Sequence, residues 1–513
     1  MKPVIEIRRM RWMERIMCAG VLLVALPAAA TVPAPESMQA ARAAIIRHVQ
    51  DNDIPSVAVA VWKDGKILWE EGFGWADRAN RVPSTEHTMY CLASLSKTLT
   101  ATGLMTLVQA GKVDLDKPAN DYLGDDQLTS YIGDPKAVTV RTLANHTSGL
   151  PGSDQWFYGA KVPDAPSMSA TIRRYGILVA PAGERYRYSN LGYGIVGHLL
   201  SKVSGQSYGD FMQSAVFTPL GMTHSALDAT PGFDAHKAQR YDYAGRPIPP
   251  YVSVEPASAT LFSSAHDLAR FGMFILKDRL PDQRPVLSDA NIDSMSRNPA
   301  RESADSNYGI GWVIQEEGGY HTIQHSGSAS GVSSNFILLP EQNMGIVMLA
   351  NIDGGVRSSL QYDVLKTLLP AWKEPAPEPK QAEPAPFKPK ADLVGRWEGK
   401  VHTYEGDLPM TLRIMASGDV HVRIGGEPKF ASRSTTRLES LLNNVKFENG
   451  ELTGKTLSQI ETSDTARNPH ATSLYLKQRG QVLNGNVTAG SIYQGLWIYG
   501  LPYWTELKKV AAQ

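Results

Sequence analysis

The chain has 513 residues, too many for one compact core and enough for two or three domains. Lys plus Arg total 51 and Asp plus Glu total 51, so the chain is neutral and lacks the basic footprint of a nucleic-acid binder. Hydrophobic residues at 42% and charged residues at 20% are ordinary for a globular protein, and neither a His/Cys cluster at metal spacing nor His-Glu-x-x-His occurs.

Arg8, Arg9, Arg11 and Arg15 precede an apolar run from Ile16 to Leu26, followed by Pro27-Ala28-Ala29-Ala30. That order of charge, apolar run and small residues reads as an export signal, residues 1–30, cleaved after Ala30. A periplasmic or secreted protein is expected. The run is too short for an ordinary transmembrane helix, so no stable membrane insertion is expected after cleavage; an uncleaved signal would act as an anchor. Cys18 leaves with the signal, so the mature chain keeps Cys91 alone and has no internal disulfide.

Lys373 to Lys390, KEPAPEPKQAEPAPFKPK, is rich in Pro, Ala and charge and reads as a semi-rigid spacer. It divides a domain at 36–372 from a smaller one at 391–513. The larger domain opens with a helix near Met38–Asp51. A hairpin follows, Ser56–Lys63 and Lys66–Gly74 around Asp64-Gly65. Ser94 to Lys277 reads as mostly helical. Strand patterns return at Tyr308–Glu316, His321–His325, Ser333–Leu339 and Gly345–Asn351, and a helix near Val356–Leu369 closes the domain. Strands at both ends with helices between predict one antiparallel sheet built from both termini, flanked by helices, plus an all-α insertion. Short β-type runs at Val394–Tyr404, Met410–Ile414, Val420–Ile424 and from Ser473 onward predict an antiparallel barrel or sandwich in 391–513. Its aromatics, Trp397, Tyr493, Trp497, Tyr499, Tyr503 and Trp504, are expected in the core rather than around a pocket.

Ser94-Leu95-Ser96-Lys97 leads into a helical run, Thr98 to Ala110. Residues three apart share a helix face, so the Lys97 amine would lie beside the Ser94 hydroxyl. A serine is a weak nucleophile until a base takes its proton, and burial or neighbouring positive charge would prepare Lys97 for that task. S-x-x-K alone equally fits a serine that caps a helix. Tyr186-Arg187-Tyr188-Ser189-Asn190 sits on a loop before another helix, where Tyr188 can relay a proton and Asn190 can donate to a substrate carbonyl. His325-Ser326-Gly327-Ser328 ends a strand whose edge can receive an extended substrate.

These three elements in this order, Ser94…Lys97, Tyr188…Asn190 and His325…Gly327, resemble the serine β-lactamase and penicillin-binding-protein superfamily, in its class C branch with D-peptidase and esterase relatives. Asn145-His146-Thr147-Ser148-Gly149-Leu150-Pro151 and Ser263-Ser264-Ala265-His266-Asp267-Leu268 support the resemblance. It implies an α/β sheet domain beside an all-α subdomain, with the site between them. It implies Ser94 as acylated nucleophile, Lys97 and Tyr188 as the proton-transfer pair and Asn190 as substrate positioner. The backbone N–H groups of Ser94 and Ser328 would form the oxyanion hole, and His325 would meet the leaving side or a carboxylate. No cofactor or metal is called for, and the partner is a small-molecule or peptide substrate.

His325 stands where true β-lactamases carry Lys, which weakens the anchoring of a β-lactam carboxylate and favours a D-peptidase or esterase. A true β-lactamase and a catalytically weak module that binds cell-wall peptides are the alternatives. Other patterns carry less. Gly205-Gln206-Ser207-Tyr208-Gly209 fits G-x-S-x-G but follows a helical run, so Gly205 reads as a C-cap and Ser207 as the next N-cap. Gly192-Tyr193-Gly194-Ile195-Val196-Gly197 fits G-x-G-x-x-G without a preceding strand, and reads as small residues that let helices approach. His146 is expected to fix a loop, Cys91 to be a buried small residue, and Tyr188 rather than Tyr186 to serve the relay.

Overall fold

The computed structural model describes residues 32–228, 232, 234–356, 358–374, 386–425 and 439–510. The expected signal, 1–30, and most of the Pro-rich spacer lie outside them. Among the described residues no helix is long and apolar enough to cross a membrane.

Ser56–Lys63 shows why the main sheet forms. Its sequence SVAVAVWK is apolar on both faces, and seven of its eight residues are buried. Strand alternation sends Ala58, Ala60 and Trp62 to one face, where they join Leu99, Leu104 and Phe336. It sends Val57, Val59 and Val61 to the other, against Ile45 of helix Gln39–Asp51 and Val364 and Leu365 of helix Ser358–Leu368. Each such side chain contributes about 1.5–3 kcal/mol on burial. The strand lies between Lys66–Asp77 and Met344–Ala350, with Val57 opposite Ala350 and Val61 opposite Ile346. The two ends of the domain therefore share one sheet, as the pattern predicts.

The full sheet has nine antiparallel strands. Its order is Ala300–Arg301, Ser306–Tyr308, Val313–Glu317, Tyr320–Ala329, Val332–Leu339, Met344–Ala350, Ser56–Lys63, Lys66–Asp77 and Val82–Pro83. Two boundaries differ from expectation. The run Tyr308–Glu316 is broken at Gly309 and Gly311, and the strand around His325 continues to Ala329, so His325 and Gly327 lie inside it. Helices Ser96–Gln109 and Asn190–Ser204 form the centre of the helical region.

The C-terminal residues form a second antiparallel sheet. Nine of its eleven strands run, neighbour to neighbour, Ser440–Leu441, Val420–Ile424, Gly406–Ile414, Gly395–Thr403, Leu496–Lys509, Val482–Tyr493, Ala471–Arg479, Glu451–Thr456 and Asn443–Glu448; Asp154–Tyr158 and Tyr251–Ser253 join beside Leu496–Lys509. Leu442 alone separates the two outermost strands in sequence, so the sheet is a nearly closed barrel. Here burial alternates: Leu474 and Leu476 point inward, while Ser473 and Tyr475 are only half-buried. Trp397, Tyr499, Tyr503 and Trp504 are core residues as expected. Tyr493 and Trp497 are not; they are 51% and 44% exposed. They sit at the tip of a hairpin that reaches past the barrel, where Tyr158 Oη donates to the Trp497 carbonyl at 2.8 Å and Trp497 N–H donates to Ser330 Oγ at 3.1 Å.

Candidate active site

Ser94 lies in a 3₁₀ turn, Ala93–Leu95, that runs directly into helix Ser96–Gln109. Ala93 before it has φ +45°, a left-handed conformation that costs a non-glycine residue about 1–3 kcal/mol and lifts Ser94 out of the helix path. Ser94 is partly accessible while every other residue from Cys91 to Thr100 is buried. It makes no helix-capping bond, so the capping explanation of S-x-x-K finds no support.

Lys97, one turn on, is fully buried, and its three N–H donors are all engaged. Nζ donates to Ser94 Oγ at 3.2 Å, to Asn190 Oδ1 at 2.7 Å and to the Ser258 carbonyl at 2.9 Å. Burial lowers its pKa to about 7, against the opposing pull of Asp154 and Glu255. The amine is thus available as a base near neutral pH. Ser258 belongs to the short helix Pro256–Ala259, which approaches helix Asn190–Ser204 because Gly194 and Gly197 have no Cβ. A Cβ on Gly197 would lie 2.3 Å from Ala257 Cβ. The G-x-G-x-x-G pattern is accordingly a packing surface.

The second motif sits where that helix begins. Ser189 is its N-cap, accepting from Gly192 N–H at 3.0 Å, and Asn190 follows as the first helical residue. The ring of Tyr188 lies 4.7 Å from Lys97 Nζ. Burial pushes its phenol up, and a hydrogen bond with Ser94 partly offsets that. Tyr186 turns away to donate to Glu302 at 3.0 Å, leaving Tyr188 at the site. His146 is buried below: Nδ1 accepts from Ser189 N–H at 3.1 Å, and burial keeps the ring neutral. That is the loop-fixing role expected of it.

The third motif reaches Ser94 through a glycine. A Cβ on Gly327 would fall 2.1 Å from the Leu92 carbonyl and 3.0 Å from Ser94 N, so only glycine lets the strand lie against the Ser94 turn. Ser328, next along, is exposed and donates to Asp353 at 2.9 Å. His325 is 4% exposed and committed on both ring nitrogens. Its Nδ1 is 2.7 Å from the Ser326 carbonyl and must carry the proton; Nε2 accepts from Tyr308 Oη at 2.9 Å. Burial and Lys97 lower its pKa to about 3, so it is neutral. Where a direct contact of His325 with substrate is expected, both ring nitrogens are engaged, by Tyr308 and by the Ser326 carbonyl.

Three site residues have no motif to announce them. Asp154 Oδ1 accepts from Asn190 Nδ2 at 2.5 Å, and burial raises its pKa to about 6. Glu255 is fully buried, accepts from Ser153 and Ser253, and is raised to about 8, hence largely protonated at neutral pH. Tyr308 ties the third motif to the aromatic floor. Cys91 is buried and its thiol is pushed up, which makes it inert.

A family model described as Beta-lactamase matches residues 41–368. Protein flp of Staphylococcus aureus (strain N315) is 28% identical over 316 residues, 60% of this chain and 62% of flp, so the chain spans under two thirds of that relative's length. The unguisins hydrolase ungD' of Aspergillus campestris (strain IBT 28561) is 28% identical over 330 residues, 60% of this chain and 61% of the relative. The crystal structure of SurE, 20% identical, covers 92% of this chain and 99% of its own with a TM-score of 0.60. That likeness in fold takes in barrel and sheet together.

Proposed function

We propose that this chain, which belongs to the Beta-lactamase family, is a serine hydrolase that cleaves an amide or ester bond through an acyl-enzyme on Ser94. The observation that carries the reading is the buried Lys97 amine, which touches Ser94 Oγ and has its pKa drawn to about 7. In the free-amine form Lys97 takes the hydroxyl proton as Ser94 Oγ attacks the carbonyl carbon. Charge developing on the carbonyl oxygen meets the backbone N–H groups of Ser94 and Ser328. Tyr188 passes the proton to the departing amine or alcohol, the bond to it breaks, and the acyl group stays on Ser94. Water, losing a proton to the same pair, then releases the acid and restores Ser94.

The site's charges favour a substrate without a carboxylate to anchor at the third motif. His325 is neutral where a lysine would be cationic, so a D-peptidase or esterase fits better than a true β-lactamase. A cleft of about 560 Å³ beside Asp154, walled by Leu457, Ile492 and Trp497, suits an apolar side chain. A hydrolase among the relatives agrees with bond cleavage, and a SurE structure of the same fold was solved with D-Leu, an apolar D-amino acid. Export with cleavage after Ala30 belongs to the same reading, and N-terminal sequencing of the mature protein tests it.

The test incubates wild type and Ser94→Ala with a fluorophosphonate, a p-nitrophenyl ester, a fluorescent β-lactam and a D-Ala-D-Ala peptide. Label mapped to Ser94, with turnover at least about 1000-fold lower in the variant, is expected. Equal turnover by the two proteins overturns the acyl-enzyme. Binding of the β-lactam or peptide without turnover by wild type makes the protein a cell-wall-peptide binding module instead.

A further inference from the structure

Asn190 holds Lys97 through its carbonyl oxygen, yet a side-chain amide has two ends of nearly equal shape. Flipped, its NH₂ would face the Lys97 donors and its oxygen would face away. What decides the orientation is Asp154, an acceptor when ionised, which takes the Nδ2 donor at 2.5 Å and leaves Oδ1 for Lys97 at 2.7 Å. Ser94, Lys97, Asn190 and Asp154 form one continuous hydrogen-bonded row. The charged bond at its far end is of the stronger, geometry-fixing kind.

Asp154 does not reach this place by local folding. It opens the strand Asp154–Tyr158, which pairs on one side with Tyr251–Ser253 and on the other with the barrel's last strand, Gln155 opposite Tyr499 and Asp154 opposite Gly500. The barrel grips the strand further. Arg467 donates to Gln155 Oε1 at 3.3 Å and to the Trp156 carbonyl at 3.4 Å, and its guanidinium lies 4.1 Å from the Phe157 ring centroid. Tyr158, at the strand's end, is the residue that meets Trp497.

We propose that Asp154 is a positioning residue for the Ser94 reaction, held in place by the barrel, which is thereby a working part of the catalytic centre. This rests on the Ser94 acyl-enzyme reading. Asp154 acts twice: it fixes the Asn190 amide, and its charge supports the ammonium form of Lys97. The groups facing or near Lys97 are Asp154, whose charge raises its pKa, Glu255, largely protonated, His146 and His325, both neutral, and the rings of Tyr188 and Tyr193. Removing the Asp154 charge while keeping an oxygen acceptor lowers the Lys97 pKa, so the acidic limb of the pH profile moves to lower pH.

The experiment uses the full chain with p-nitrophenyl acetate as reporter and compares wild type, Ser94→Ala, Asp154→Ala, Asp154→Asn and Arg467→Ala. Asp154→Ala is expected to lower kcat/KM by roughly 100-fold, mostly in kcat, since a displaced catalytic group costs about that much. Asp154→Asn restores most of the loss and shifts the acidic limb downward. Arg467→Ala, which touches no catalytic group, loses several-fold in kcat with the limb unmoved. Folding of each variant is checked by its thermal transition. Well-folded Asp154→Ala with wild-type kcat/KM overturns the proposal, as does Asp154→Asn with the loss of the Ala variant and an unmoved limb. Full turnover by Ser94→Ala overturns the acyl-enzyme reading itself, a different failure read from a different protein.

Discussion

The nine-stranded sheet and the barrel are both antiparallel, yet they solve burial in opposite ways. In the sheet, Met344–Ala350 is buried at all seven positions because helices cover both faces. In the barrel, Val420–Ile424 alternates buried and half-buried because one face turns to the interior and the other to solvent. A strand covered on both faces can present a residue to a site only where a covering layer parts. The Ala93–Leu95 turn against Gly327 is such a parting. A barrel has free rims and hairpin tips, and this one uses its last strand and the 493–497 tip to reach across to Asp154–Tyr158 and Ser330. The sheet thus carries the third motif and the barrel carries reach.

Substitutions test that division. Gly327→Ala should cut turnover by more than about 100-fold, because a Cβ 2.1 Å from the Leu92 carbonyl must push the strand off the nucleophile turn. Steady-state kinetics with the p-nitrophenyl ester checks this, and an active, unshifted variant would mean that the sheet tolerates far more slack than its packing indicates. In the sheet's interior, Met348→Ala and Leu349→Ala face opposite ways, and each should cost about 2–5 kcal/mol. In the barrel, Leu474→Ala should cost as much, but its neighbour Ser473→Ala only about 0.5 kcal/mol or less. Urea titration of the four variants compares them, and equal costs at 473 and 474 would remove the contrast. Trp497→Ser should leave stability within about 0.5 kcal/mol of wild type, since the ring is exposed, while raising KM several-fold for apolar esters over acetate. An unchanged KM ratio would confine the barrel's influence to Asp154.

What could be read from the sequence follows the range of the interactions. Ser94 and Lys97 are three apart on one turn, and Tyr188 and Asn190 flank a helix start, so local spacing states their geometry. Gly205 takes φ +72° as a helix C-cap and Ser207 caps the next helix, again as local rules require. The sheet shared by both termini was legible because Ser56–Lys63 and Met344–Ala350 are each apolar throughout. Asp154 and Glu255 were not legible: each matters through a partner distant in the chain, and neither neighbourhood has a repeating pattern. Ala93 gives no sign of its left-handed backbone, since no glycine stands there. His325 was legible as a position, but its spent nitrogens depend on Tyr308, which reaches it through the packing of the sheet. Tyr493 and Trp497 were misassigned because an aromatic at a hairpin tip and one in a barrel wall share the same alternating pattern.

The pairing of Gln155 with Tyr499 also sets an order in time. During synthesis the Ser94 turn, Lys97 and Asn190 emerge early, but the strand that begins at Asp154 has no barrel partner until Leu496–Lys509 has been made. The row from Ser94 to Asp154 is therefore supported only once Tyr499 and Gly500 have been added, and a molecule clipped before Leu496 would hold Ser94 and Lys97 without that support.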